Sequence, residues 1–302
     1  MFKDVVSNIK KYGYSRESIK ILEQDEIGVL KRYIDNLYSN SKTDIVMNGN
    51  VPAIANLLGN DANIDKLLEK IICNESVESI LRAIIGKDYK LWQYSVRRTV
   101  KGDHGLALHQ DSPGQFNISY LLTDNPDGHG ATAILPMSHK LPRWASYMSW
   151  AGIYFCKPLL TVLSGKSGDI VFFLNRTWHA RIYNKSVEAH DVLLIGFFPA
   201  GADYPPIDNI NDVVNKLKSN KLKCLLDINQ GTKKISSDRV KVVSKNEASE
   251  KINYAMSLET NKSNQSDIIL AHLYVKIIVL EIFFFPTRKI YLFLLKILKL
   301  LK

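Results

Sequence analysis

The sequence predicts a mainly β protein with flanking α-helices, built around an antiparallel sandwich or barrel. Seven short segments between residues 89 and 200 are rich in aromatic and β-branched residues, and Gly, Pro and Asn turn signals separate them. No long helical pattern lies between them, as the connections of a parallel sheet would require. The predicted strands are 89–100, 116–123, 130–136, 157–163, 168–174, 178–184 and 191–199.

Residues 15–86 predict helices that precede the strands. Apolar residues recur at three- and four-residue intervals between Leu22 and Leu37, as one buried face of a helix requires. Two more helical stretches follow at 64–72 and 76–85, and Gly86 ends the pattern.

These patterns divide the chain into four parts. Residues 1–88 form an N-terminal helical support region, and residues 89–228 contain the β core. Residues 229–266 are polar and rich in Lys, Ser, Asn and Glu, which predicts a linker. Residues 267–302 are strongly apolar with scattered lysines and predict a helical tail.

Composition and charge exclude several classes of protein. The 302 residues are 46% hydrophobic and 23% charged, which is globular and excludes wholesale disorder and collagen. The net charge is +10, and residues 201–302 alone hold 17 basic and 10 acidic residues. Because the basic excess lies mainly in this last third, we expect an anionic surface to meet the tail, and no nucleic-acid partner.

Cysteine content and the N-terminus indicate a compartment. The three cysteines are widely spaced, which fits neither a disulfide framework nor a zinc cluster. The first residues contain no apolar run typical of a secretory signal. We therefore expect a reducing, cytoplasmic location.

The tail at 267–302 is interrupted too often for a membrane span. Lys276, Glu281 and the stretch 286–289 break its apolar runs, and lysines fall mostly on one side of its last helix. This pattern is typical of a helix lying on the inner face of an anionic membrane. The alternative is a helical hairpin that packs on the core or forms a homodimer.

The candidate chemistry begins at His109 and Asp111. Residues i and i+2 of a strand point to the same side, so both side chains can reach one metal ion. His179, at the start of a later strand, is the best third ligand. Two imidazoles and one carboxylate form the facial triad of non-haem Fe(II) oxygenases, which leaves positions for a 2-oxo acid and O2.

Four motifs in order resemble the phytanoyl-CoA dioxygenase family of Fe(II)/2-oxoglutarate-dependent oxygenases. They are HQD, YLLTD, GATAILPMSH and GDIVFF followed by WH, and the resemblance covers about residues 89–200. The resemblance implies a double-stranded β-helix, a cupin-like jelly roll, for the core. It also implies Fe(II) as cofactor, with 2-oxoglutarate and O2 as co-substrates.

One position departs from the family pattern. The resemblance implies an arginine about eleven residues after the distal histidine, which would bind the remote carboxylate of 2-oxoglutarate, and this chain has His190 there. Arg181 is the first substitute, because it lies two residues after His179 on the same strand face. His190 itself is the second.

Three more residues are candidates for contacting the co-substrate. Arg98 shares one face of its predicted strand with Trp92, Tyr94 and Val96, which we take as the inner face. Asn117 and Tyr120 follow the HQD motif on the next strand. Either is equally compatible with an ordinary strand position.

The sequence thus predicts a dioxygenase that hydroxylates an aliphatic C–H bond and releases succinate and CO2. Asp111 favours hydroxylation, because radical halogenases of this fold lack that carboxylate. The basic tail favours a lipid-linked or glycan substrate, with a soluble small molecule as the other choice. The alternative function is a non-oxidative, cupin-like sugar isomerase or binding module, which the missing arginine at position 190 supports.

Overall fold

The computed structural model is mostly antiparallel β-sheet with flanking helices, which confirms the predicted class. It describes residues 2–40, 45–48, 51–103, 105–111, 114–140, 157–202, 210–226 and 242–243. The tail predicted at 267–302 and nearly all of the predicted linker lie outside these ranges. Within them, no helix is both long and apolar enough to cross a bilayer.

Six helices lie in the described ranges, four of them before the main strands. Polar side chains cap several of them: Asp61 accepts hydrogen bonds from the backbone N–H groups of Asn63 and Ile64, and Asn74 and Ser219 cap two others. The helices are α1 (Phe2–Tyr12), α2 (Gln24–Ser39), α3 (Ala62–Ile72), α4 (Glu75–Ile84), α5 (Ile210–Lys216) and α6 (Asn220–Leu225).

The strands form a large and a small antiparallel sheet. The strands are β1 (Tyr14–Glu17), β2 (Ile45–Asn48), β3 (Val51–Ile54), β4 (Tyr89–Thr99), β5 (Leu106–His109), β6 (Phe116–Leu121), β7 (Thr132–Ile134), β8 (Thr161–Val162), β9 (Ile170–Leu174), β10 (His179–Arg181), β11 (His190–Pro199) and β12 (Val242–Val243). The large sheet has the order β1-β9-β6-β11-β4-β3-β2-β12, and the small sheet has the order β5-β10-β7-β8.

The structure corrects the expectation that residues 15–86 are helical throughout. Helices α2, α3 and α4 are present, but β1, β2 and β3 also lie in this stretch. These strands have only four residues each and pair with the large sheet, β1 with β9 and β3 with β4. Such short segments carry little periodic signal, so their strand conformation depends on the partner strands.

The two faces of the large sheet have different environments. Phe116, Ile118 and Tyr120 alternate along β6 and pack with Leu30 of α2 and Ile71 of α3 in the main hydrophobic cluster. We call this helix-covered side the outer face. The residues between them point to the opposite, inner face, which meets the small sheet. A second cluster there joins Ile134 and Leu163 to Val171 and Phe173.

A close backbone approach next to Gly105 brings β5 against β10. Gly105 has a φ of +79°, and a Cβ built on it would lie 2.1 Å from the carbonyl oxygen of Arg181. Only glycine fits this position without displacing backbone. The contact therefore determines how closely the two strands approach just before they reach His109 and His179.

We predict that Gly105→Ala lowers the free energy of unfolding by about 3 kcal/mol or more, because conformational strain adds to a backbone clash. Gly86→Ala is the matched control: φ is +113° there, but nothing lies within 4 Å of the added Cβ. It should cost only about 1–2 kcal/mol. Urea denaturation of both variants measures the difference, and equal losses would contradict the close-packing argument.

Candidate metal centre

Backbone pairing brings the three predicted metal ligands together. His109 ends β5, His179 begins β10, and the two residues are direct antiparallel partners. Their ring centroids are 4.2 Å apart. The backbone N–H of Asp111 donates to the carbonyl oxygen of Asn175 at 3.0 Å, which holds the residues after β5 beside the segment that joins β9 to β10. The potential ligand atoms of His109, Asp111 and His179 all lie within 4.8 Å of one another.

Backbone carbonyls orient both imidazole rings. Nδ1 of His109 lies 2.7 Å from the carbonyl oxygen of Ala107, and Nδ1 of His179 lies 2.9 Å from that of Thr177. A carbonyl oxygen only accepts, so each Nδ1 carries a proton, and in a neutral ring with this tautomer Nε2 has the free lone pair. The two Nε2 atoms point toward Asp111, at 3.7 Å from His109 to Oδ1 and 3.4 Å from His179 to Oδ2.

The electrostatic environment keeps His109 neutral. Burial lowers the pKa of its imidazole well below the usual value, and the neighbouring His179 ring lowers it further. A neutral imidazole is the form that binds metals, because a protonated ring has no lone pair to donate. This ring is therefore prepared for coordination at neutral pH.

Asn117 orients the carboxylate of the triad. Its Nδ2 donates to Oδ2 of Asp111 at 2.6 Å, and its Oδ1 accepts a hydrogen bond from Nε2 of Gln115 at 2.6 Å. This relay fixes the amide and through it the carboxylate. Groups that orient metal ligands in this way strengthen metal binding. The sequence prediction placed Asn117 near the metal, and the structure assigns it a contact with Asp111.

Arg181 lies on β10, two residues after His179, but its guanidinium is bound to other groups of the protein. It is 1% exposed, and its Nη2 donates to the carbonyl oxygen of Gly105 at 2.8 Å and to Oδ1 of Asp103 at 3.4 Å. Burial lowers the pKa of Arg181, and the charge of Asp103 opposes that effect. The guanidinium expected to bind a co-substrate carboxylate is thus already paired with a carboxylate of the protein.

Arg98 is placed on the outer face of the large sheet, away from the triad. It donates to both carboxylate oxygens of Asp191, at 2.7 and 2.6 Å, and to Asp35 of α2. Its guanidinium also stacks over the ring of Tyr38. Arg98 therefore links the sheet to α2, which corrects the expectation that it points inward.

Tyr120 is also placed on the outer face. It is fully buried in the main cluster, and a Cβ added at Gly168 would lie 3.9 Å from its hydroxyl oxygen and 3.6 Å from Ile27 of α2. Burial raises the pKa of Tyr120 to about 12. Asn117 lies three positions earlier on β6, and an odd spacing puts the two side chains on opposite faces. The structure thus does not bring Tyr120 to the triad.

The inner face of β4 carries an arginine that sequence reasoning missed. Tyr94 and Val96 belong to the outer cluster, so Arg97 points inward. Arg97 is 5% exposed and lines a small, partly open cavity between the two sheets together with Ser119, Thr132 and His190. Burial lowers the pKa of Arg97 to about 9, so the group remains charged at pH 7. The sequence signal that could have predicted the inward orientation of Arg97 is the run of polar residues at alternate positions 93, 95, 97 and 99.

Comparison with known proteins identifies the fold. No protein-family model matches the sequence, and no curated protein does either. Among solved structures, the chain is similar to the non-heme alpha ketoglutarate dependent carbocyclase SnoK from nogalamycin biosynthesis, with a TM-score of 0.55 and 18% identity. That match covers 70% of this chain and 90% of SnoK.

Two further structures show the same fold similarity. AviO1 from Streptomyces viridochromogenes Tue57 matches with a TM-score of 0.54 and 18% identity, over 68% of this chain and 98% of AviO1. HygX from Streptomyces hygroscopicus, solved with nickel and 2-oxoglutarate bound, matches with a TM-score of 0.52 and 12% identity. This match covers 68% of this chain and 91% of HygX. At these identities the similarity establishes the fold.

We predict that Asn117→Ala weakens the affinity for a divalent metal by about 10- to 100-fold, because Asp111 loses the group that orients it. Asn175→Ala is the matched control. Asn175 is similarly buried, and its backbone carbonyl accepts the hydrogen bond from the N–H of Asp111, which alanine preserves. Titration of the metal-free variants with Mn(II) measures both affinities. An Asn175→Ala loss as large as that of Asn117→Ala would contradict the orienting role.

Proposed function

We propose that this chain is an Fe(II)- and 2-oxoglutarate-dependent oxygenase whose metal is held by His109, Asp111 and His179. The convergence of these side chains, with both Nε2 atoms presented to one carboxylate, is the observation that carries the proposal. The two-sheet architecture further supports a double-stranded β-helix, or jelly roll, as its core.

The donor set fits ferrous iron better than a structural metal. Two nitrogen donors and one carboxylate are the facial triad of non-haem iron enzymes, whereas structural zinc sites are closed by four protein ligands. Within the described ranges the cluster has three members. The side chain of Asp111 is 26% exposed and that of His109 is 17% exposed, so the site is accessible from one side. An accessible site with three protein ligands leaves coordination positions for small molecules.

The metal would supply the oxidative chemistry, and the protein would bind and orient the reacting groups. When bound with 2-oxoglutarate and O2, ferrous iron supplies an oxidant that removes hydrogen from an aliphatic C–H bond, with release of succinate and CO2. This chain's side chains bind and orient: Asn117 holds Asp111, and the carbonyls of Ala107 and Thr177 hold the two imidazoles. Phe173 packs against the His179 ring at 5.1 Å between centroids and shields its buried side from water.

We further propose hydroxylation as the reaction, because the carboxylate of Asp111 fills the position that a halogenase leaves to halide. The substrate we propose is a small molecule, a lipid-linked compound or a glycan. The basic and apolar composition of residues 267–302 supports a peripheral membrane location on the cytoplasmic side. The same composition also supports a homodimer contact.

We predict that the metal-free protein, given Fe(II) and 2-oxoglutarate without oxygen, develops the weak visible charge-transfer band of the iron chelate. Admission of air should then release succinate. Asp111→Ala and His179→Ala should abolish the band, because each removes one of three ligands. Tyr120→Phe is the control that should keep it, since Tyr120 faces the outer cluster. Absorption spectroscopy and succinate quantification provide the two measurements.

Two outcomes would contradict the proposal. A wild-type protein that gives neither the band nor succinate is not an oxygenase of this class. A protein that binds Fe(II) tightly but ignores 2-oxoglutarate would support the non-oxidative, cupin-like isomerase or binding module.

A further inference from the structure

The side chain of Arg97 is a buried cation that the described protein does not neutralise. Its Nε and Nη2 make no hydrogen bond within the described part of the chain, although Arg97 is 5% exposed. The other inner arginine, Arg181, is paired with Asp103. The adjacent Arg98 is paired with Asp191 on the outer face.

A buried charge without a partner destabilises a folded protein, because water no longer solvates it. Burial lowers the pKa of Arg97 only to about 9, so at neutral pH the guanidinium stays charged. The carboxylate of Asp103 attracts it from a distance, but the nearby Arg181 repels it. A structure that retains this charge is best explained by an anion that binds there.

The polar groups that line the cavity next to Arg97 are of the kind that binds a carboxylate. Ser119 Oγ is buried and also has no hydrogen-bond partner within the described ranges. Both residues line the cavity, together with Thr132 and His190. Burial lowers the pKa of the His190 imidazole, so Arg97 supplies the positive charge and the other three add polar groups. A guanidinium beside a hydroxyl is a typical receptor for a carboxylate.

The cavity lies on the same sheet face as the metal centre. Asn117, which contacts Asp111, and Ser119, which lines the cavity, are alternate residues of β6 and both point inward. Alternate residues of a strand are about 7 Å apart. The terminal carbons of a five-carbon chain are about 5 Å apart when it is extended. A molecule of that length with an acidic group at each end is therefore comparable in length to the step from Asn117 to Ser119 along this face.

We propose that Arg97 binds the remote carboxylate of a dicarboxylic 2-oxo acid whose other end meets the metal centre. This inference rests on the proposed function. The family resemblance implies a carboxylate-binding arginine at position 190, where this chain has a histidine, and the inference places that role on Arg97 of β4. It predicts that the chain selects dicarboxylic over monocarboxylic 2-oxo acids of equal length, and that Arg97 causes the selection.

The test compares two ligands that differ only at the remote end. 2-Oxoglutarate has a carboxylate there, and 2-oxopentanoate has a methyl group on the same five-carbon chain. Dissociation constants are measured by calorimetry on the full-length, Mn(II)-loaded protein without oxygen, so that turnover plays no part. The wild type should prefer 2-oxoglutarate by at least about tenfold, the effect of one charged hydrogen bond.

Variants then assign the preference to a residue. Arg97→Leu should reduce it to within twofold, and Arg97→Lys, which keeps the charge, should restore part of it. The double variant Asp103→Asn/Arg181→Gln replaces the neighbouring ion pair with neutral side chains and should keep the preference. If the double variant keeps the preference for 2-oxoglutarate, the remote carboxylate is bound by Arg97 and not by Arg181.

The stability of the ligand-free protein gives a second readout. Because Arg97→Leu removes an uncompensated buried charge, it should raise the melting temperature of the metal-free protein by about 2–4 °C. A purely structural arginine would lower it. A variant that unfolds or melts earlier would therefore show that the protein itself neutralises Arg97, and would overturn the inference.

The remaining outcomes separate the inference from the proposed function. If the wild type binds both 2-oxo acids equally, or Arg97→Leu keeps the preference, the inference is wrong and the oxygenase proposal stands. Loss of the preference in the double variant, while Arg97 is intact, would also overturn it. A wild type that binds neither 2-oxo acid would contradict both.

Discussion

The antiparallel pairing of β5 with β10 is the constraint on which the metal centre depends. This pairing places His109 directly opposite His179, and the approach at Gly105 sets the distance between the strands. A shift of one residue would turn one imidazole to the other side of the sheet. The hydrogen bond from the backbone N–H of Asp111 to the carbonyl oxygen of Asn175 then fixes the backbone that carries the third ligand, the Asp111 carboxylate. The three ligands thus depend on register more than on flexible side chains.

The division of the large sheet into two faces separates stability from chemistry. On the outer face, apolar residues pack under the helices, and the Arg98–Asp191 pair joins the sheet to α2 through Asp35. The inner face carries polar groups, among them Asn117, which holds Asp111, and Arg97. A buried charge without a partner weakens a fold, and for this reason Arg97 supports the inference of a bound ligand.

The lack of an arginine at position 190 does not leave the cavity without a cation, because Arg97 lines it. Arg97 of β4 is the register partner of Val192 in β11, two residues from His190. Neighbouring strands are about 4.8 Å apart, which the long arginine side chain can span. A cationic side chain on the adjacent strand can therefore reach the same cavity. Sequence position alone is a poor guide to a ligand-binding cation in a sheet.

The sequence by itself determined seven strand segments between residues 89 and 200, the helices at 64–72 and 76–85, and His109 and Asp111 as candidate ligands. Those features are local: hydrophobic periodicity and the i, i+2 spacing of His109 and Asp111 suffice for them. The short strands β1, β2, β3 and β5, and the pairing that brings His179 to His109, depend on residues distant in the chain. Only the tertiary structure decided that Arg97 points inward, whereas Arg98 and Tyr120 point outward. Alternation divides a strand into two faces, but it does not state which layer each face meets. The pairing of Arg181 with Asp103 likewise joins distant residues, and no local pattern records it.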